Sequence, residues 1–187
     1  MTWRTHALVG IGSLWLLEPV PHAIGNGDGV SNVGLLAVVA AFGALLPDLD
    51  AQQSRIRHLS PGWGIEPFAL PSLLLHRAFG HRGLLHSGLG LALFTVLFAL
   101  PLAFWWGWQP SVALVLGYAS HLAADACTRT GIPLLYIPLL HPRRLRFFLL
   151  PPGLRLVTGS PAEDALLPLL AAPVLLLLFL HLRNLAG

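Results

Sequence analysis

The chain reads as an all-α integral membrane protein of about five helices with its N-terminus in, and three observations say so. Of its 187 residues, 55 % are apolar and only 10 % are charged, against roughly 25 % charged in a soluble domain. Apolar runs of membrane-crossing length recur along the whole chain. All 11 basic residues are Arg, and they concentrate on alternate loops. The mean hydropathy of +0.71 excludes intrinsic disorder and an ordinary solvated surface. One cysteine, Cys127, excludes a disulfide scaffold and a thiolate-cluster metal site. A net charge of only +3, without a basic run on a polar face, leaves no direct nucleic-acid binding to expect. The length suits a single membrane-embedded domain, 1–187.

A bilayer core of about 30 Å takes roughly 17–25 residues of helix, and stretches 5–18, 30–46, 84–106, 111–126 and 162–183 meet or approach that length. The first stops at Glu18-Pro19. Pro19 and Pro21 sit where a signal-peptide cleavage site would be, so it is read as a retained helix. The second ends at Pro47, and the third carries Pro101, which should kink it. The fifth opens with Ser160-Pro161-Ala162-Glu163, a capping box with proline at the first helical position. Arg4, Arg55, Arg57, Arg77, Arg82, Arg129, Arg143, Arg144, Arg146 and Arg155 fall on one side, and Arg183 alone on the other. That split places the N-terminus in the cytoplasm and the C-terminus outside. Trp105, Trp106 and Trp108 then form an outer interfacial belt. Residues 66–76 and 131–141 are too short to span and should lie in the interface or re-enter it. Residues 145–158 read as a short cytoplasmic β-hairpin around Pro151-Pro152-Gly153.

Ionisable residues beside membrane spans are expensive and require a reason. His6 begins the first helix, Asp48 and Asp50 end the second, His81 and His86 flank the start of the third, and His121 and Asp125 end the fourth. All these ends share the cytoplasmic side. His121 and Asp125 stand at i and i+4, on one helix face. Imidazole and carboxylate without thiolate suit Zn²⁺, Mn²⁺ or Fe²⁺, with Zn²⁺ expected. So many ligands exceed one tetrahedral site and allow one or two ions, the latter sharing a bridging carboxylate as in phosphoester hydrolysis. Arg82, next to His81, is placed to clamp a phosphate. Ser87 is a rival nucleophile but lacks an orienting group. His22, His58, His141 and His181 read as interfacial, and Cys127 as a bystander facing away from Asp125. Glu163 is explained by capping, yet its helix starts on the same face, so a site role stays open for it, as for His76; Asp164 is a weaker candidate.

Five motifs occur in order: Thr5-His6; Pro47-Asp48-Leu49-Asp50; His81-Arg82-Gly83 with His86-Ser87; Gly117-Tyr118-Ala119-Ser120-His121 with Asp125, Thr128 and Gly131; and Thr158-Gly159-Ser160 with Glu163. Together, from about residue 5 to 165, they resemble the YdjM-like family of membrane-bound, metal-dependent hydrolases, also called LexA-binding inner-membrane-associated hydrolases. That resemblance implies a distant likeness to zinc-dependent phospholipase C and P1-type nucleases. It also implies that His6, Asp48, Asp50, His81, His86, His121 and Asp125 ligate metal. No residue here points to LexA as a partner. Leu85 stands where the family usually carries Thr, so a supporting hydrogen bond is missing.

The expected function is a metal-dependent hydrolase of the bacterial inner (cytoplasmic) membrane, a phosphoesterase acting at the cytoplasmic interface. Its partners would be the lipid bilayer and a phosphoester substrate, lipid or soluble. Asp48 or Asp50 would orient or deprotonate the water, and Arg82 would stabilise developing charge. The alternatives are a metal or proton transporter and a metal-binding scaffold. A transporter would continue its polar residues to the outer side, where the helices are nearly free of ionisable groups apart from Glu18.

Overall fold

Small residues decide which helices meet. The computed structural model describes residues 1–14, 33–51, 54, 58, 66–79, 83–133 and 146–186. In order these form α1 (Trp3–Gly12), α2 (Val33–Leu45) running into a 3-10 turn (Leu46–Asp50), and α3 (Ala69–Phe79). A 3-10 turn (Leu84–His86) leads into α4 (Gly88–Trp106), which is followed by α5 (Trp108–Ala126). Then come β1 (Ile132–Pro133), β2 (Arg146–Phe147), a 3-10 turn (Pro152–Leu154) and α6 (Pro161–Ala186).

Helix α5 is the central post, packed on α1, α2 and α4, while α6 packs on α1. Lipid offers no hydrophobic drive for helices to associate, so close backbone approach must supply it. A Cβ on Gly117 of α5 would strike the Ala40 carbonyl of α2, and one on Gly43 would strike the Leu114 carbonyl. A Cβ on Gly10 of α1 would come within 2.6 Å of the Ala44 Cβ. Ala40, Ala44 and Ala113 are fully buried along these contacts. What the helices enclose is largely polar: Thr5, His6, Asp50, His86, His121, Asp125, Thr128 and Glu163 are all buried. Leucine, phenylalanine and tryptophan face outward instead, as the lipid-facing surface of a membrane protein requires.

Among the described residues, Val33–Asp50 and Gly88–Trp106 are long and apolar enough to cross a membrane. Helix α6 has 26 residues, about 39 Å at the usual helical rise. Helix α1 is 10 residues long and passes into a 3-10 turn at 13–14, and 15–18 of the stretch 5–18 lie outside the described residues. Pro101 has no N–H for the Leu97 carbonyl, and the turn before it, Thr95–Ala99, opens into a π-helix. The segment 66–76 contributes to α3, an 11-residue helix with Leu70 and Leu74 exposed.

The hairpin over 145–158 does not form. Arg146–Phe147 pairs instead with Ile132–Pro133, antiparallel, with Ile132 opposite Phe147. The physical reason lies in the prolines: Pro151 and Pro152 offer no N–H to a ladder, and their fixed φ favours the 3-10 turn at Pro152–Leu154. A tight hairpin turn needs positive φ, and Gly153 does not adopt it. The loop bonds to the end of α5 instead, Leu149 N–H to the Ala126 carbonyl and Leu156 N–H to that of Cys127. The run 131–141 contains β1 near its start, and 134–141 lie outside the described residues.

Candidate metal centre

Helix ends bring six ligand-type side chains together. Pro47 has no N–H to give the carbonyls at the end of α2, so that helix tightens into the 3-10 turn that carries Asp48 and Asp50. One of those carbonyls, Ala44, accepts a 2.7 Å hydrogen bond from Nδ1 of His121. This bond sets the His121 tautomer and leaves Nε2 with its lone pair inward. His86 ends its own 3-10 turn, which the Tyr118 hydroxyl holds by donating to the Leu85 carbonyl at 2.6 Å. His6 stacks on His121, ring centroids 3.7 Å apart and 15° from parallel.

The contacts within the cluster have a characteristic length. His86 Nδ1 is 3.3 Å from Asp50 Oδ2, and His86 Nε2 is 3.4 Å from Asp48 Oδ1. His6 Nε2 lies 3.4 Å from Asp125 Oδ1. His121 Nε2 stands 3.9 Å from Asp48 Oδ1 and 4.0 Å from Asp125 Oδ2. Good N–H···O bonds are about 2.7–3.2 Å, shorter than every one of these. Two ligands on one ion with bonds of about 2.0–2.2 Å sit roughly 3.3–3.6 Å apart in a tetrahedron. The 3.3–3.4 Å contacts match that spacing, with His86 turning Nε2 to Asp48 and Nδ1 to Asp50 so that only one of the two can share an ion with it; the His121 contacts at 3.9 and 4.0 Å lie beyond it. His6, Asp48 and His121 form one triad whose ligand atoms all lie within 4.8 Å of one another; His86, His121 and Asp125 form a second that shares His121. Among the described residues, His121 Nε2 and His6 Nδ1 are buried without a hydrogen-bond partner, a state that costs about 1–3 kcal/mol per polar group and that a ligated ion would relieve. The donor set therefore fits a divalent metal. The Asp48 side chain is 23 % exposed, while those of His6, Asp50, His86, His121 and Asp125 are at most 2 % exposed, so Asp48 marks the open side.

Of the other residues singled out from the sequence, His81 and Arg82 lie outside the described residues, as do His22 and His141. Glu163 has a different task from ligation. Its Oε1 accepts from the Thr2 N–H and the Thr5 hydroxyl, both at 2.6 Å, and its Oε2 from the Gly159 N–H at 2.7 Å. It is buried and clips the start of α6 to α1, one residue from His6. The capping box is thus only half made: Ser160 Oγ accepts from the Glu163 N–H at 3.3 Å, while the Glu163 carboxylate turns to α1. Its residue spacing disclosed the cap but not the partner. Ser87 is occupied as the N-cap of α4, accepting from the Gly90 N–H at 3.0 Å and donating to the Leu84 carbonyl at 2.6 Å. Burial pushes the Cys127 thiol up, away from the thiolate form that ligates metal. Asp164 is exposed. His58 pairs with Glu66 at an exposed site, 3.1 Å apart. Tyr118 and Thr5, which hold ligand-bearing segments, gave no signal in the sequence beyond lying within the motifs.

The family described as YdjM inner membrane protein matches residues 1–185. The inner membrane protein YdjM of Escherichia coli (strain K12) is 41 % identical over 112 residues, covering 58 % of this chain and 50 % of that protein. YdjM of Shigella flexneri matches to the same extent. The match therefore spans about half the length of these two relatives. YvsG of Bacillus subtilis (strain 168) is 32 % identical over 167 residues, 89 % of this chain and 88 % of that one. No solved structure matches.

Proposed function

The chain belongs to the YdjM inner membrane protein family, and on that footing we propose that it is a membrane-embedded, metal-dependent phosphoesterase. The reading takes the chain as a multi-pass protein of the bacterial inner membrane with about five spans, its N-terminus and its site facing the cytoplasm. The observation that carries it is the gathering of buried donors into two triads, His6–Asp48–His121 and His86–His121–Asp125, each with its ligand atoms within 4.8 Å of one another.

His6, Asp48, Asp50, His86, His121 and Asp125 would hold one or two divalent ions, Zn²⁺ by preference, with His81 as a further ligand. A bound ion would supply Lewis acidity, making water a nucleophile near neutral pH and offsetting charge on the phosphoryl oxygens. Asp48, on the open side, orients the attacking water and accepts its proton. The Ala44 carbonyl keeps His121 from turning its ring, so its donor atom stays aimed. Arg82 would bind the non-bridging phosphate oxygens. The depth of the site, at the ends of two membrane-length helices, favours a phospholipid or another lipid-linked phosphoester.

The test uses the full chain purified in detergent. Hydrolysis of phospholipids and of a soluble aryl phosphate should stop in chelator and return with Zn²⁺ or Mn²⁺. Asp48→Asn should mimic chelation, whereas Ser87→Ala should keep most of the rate. Activity that persists in chelator overturns the mechanism. Full metal occupancy without turnover on either substrate favours a metal-binding scaffold.

A further inference from the structure

Helix α3 stands outside the cluster, and one of its side chains reaches the turn that carries both aspartates. Nδ1 of His76 lies 2.9 Å from the backbone carbonyl of Asp50, 26 residues away in sequence. The two faces of α3 explain how it gets there. Leu70 and Leu74, one turn apart, are 64 % and 56 % exposed, while Ser72 is fully buried. His76 is one turn beyond Ser72 and so on the same inward face. That face packs on the Leu46–Asp50 turn.

We infer that His76 is a positioning residue of the metal centre: it donates from Nδ1 to the Asp50 carbonyl and so fixes the turn that aims Asp48 and Asp50. A carbonyl accepts and cannot donate, so the hydrogen on this contact must come from His76. The 3-10 turn is short, and its hydrogen bonds are poorer than those of an α-helix. Its last carbonyl is consequently the place where an outside donor has most leverage over the Asp50 side chain. Asp50 in turn stands 3.3 Å from His86 Nδ1, so a shift of the turn moves two donor groups together. Outer partners of this kind typically change metal affinity by about 10–100-fold when removed.

The inference rests on the metal-centre reading, and the experiment separates the two. Zn²⁺ affinity of the full chain in detergent is measured by competition with a chromophoric chelator, together with the absorption spectrum of the Co²⁺ form. His76→Ala should weaken Zn²⁺ binding about 10–100-fold. The amide nitrogen of Asn overlays Nδ1 of His, whereas that of Gln overlays Nε2. His76→Asn should therefore stay within about threefold of the wild type and His76→Gln should fall with the alanine variant. Helix propensity ranks Gln above Asn, so a merely structural role on α3 gives the reverse order. Leu74→Ala, on the outward face, should leave affinity and spectrum unchanged. If the wild type binds Zn²⁺ and all His76 variants match it within twofold, or Asn and Gln fall together, the positioning role is overturned while the metal centre stands. If the wild type binds neither Zn²⁺ nor Mn²⁺, both are overturned.

Discussion

Where α2 and α5 end, the side chains turned inward are His6, Asp50, His86, His121 and Asp125, each almost wholly buried. At the far end of α4 the picture inverts: Val96, Leu97, Phe98, Leu100, Phe104, Trp105 and Trp106 are the exposed side chains, Phe104 to 91 %. The first region is held by backbones in near contact and by directed polar bonds; the second needs only to match its solvent. Apolar surface is cheap in lipid, so the far end of α4 specifies depth rather than partners. Buried polar groups are costly unless satisfied, so the ligand end specifies one arrangement.

Substitutions should therefore divide sharply between the two regions. The largest effect belongs to Gly117→Leu, whose side chain must push α5 off the Ala40 carbonyl. Thermal melts in detergent should show a loss of about 3 kcal/mol or more, the upper end for overpacking. Gly12→Leu is the matched control, because a Cβ there meets nothing within 4 Å; equal losses at Gly12 and Gly117 would break the comparison. Next comes His121→Ala, which removes the donor shared by both triads. Bound metal measured by atomic emission should drop to background, while the helical signal in circular dichroism persists. Glu163→Ala should act less severely, leaving the Thr2, Thr5 and Gly159 donors without their acceptor. A loss of about 1–3 kcal/mol is expected, together with weaker metal binding as His6 drifts with α1; an unchanged melt would show that α6 is not clipped to α1. Leu97→Ala is the smallest. At 61 % exposure it should shift stability by no more than about 0.5 kcal/mol and leave metal content alone.

Much of the local structure could be read along the chain, because covalent geometry enforces it. Pro47 marks the end of α2, since a residue without an N–H cannot continue the ladder. Ser160-Pro161 marks the start of α6, where the missing N–H is harmless. Pro151-Pro152 misled: two strands flanking a turn residue resemble a hairpin, but strand pairing depends on which backbone donors are free nearby, and those lay at the end of α5.

By itself, then, the sequence determined the solvent of this protein, the places where its helices stop, and the polar residue types set at those stops. These follow from composition and from each residue's own backbone chemistry. Tertiary structure alone decided which stops meet. The Ala44 carbonyl receives His121 because Gly43 and Gly117 let α2 and α5 come close enough. Glu163 serves α1 because α6 lies beside it, and His76 reaches Asp50 because α3 folds back on the turn. Each of these bonds joins residues 26 to 158 positions apart, and no local pattern encodes such a partner, because it is chosen by the approach of two backbones rather than by the chain around either residue.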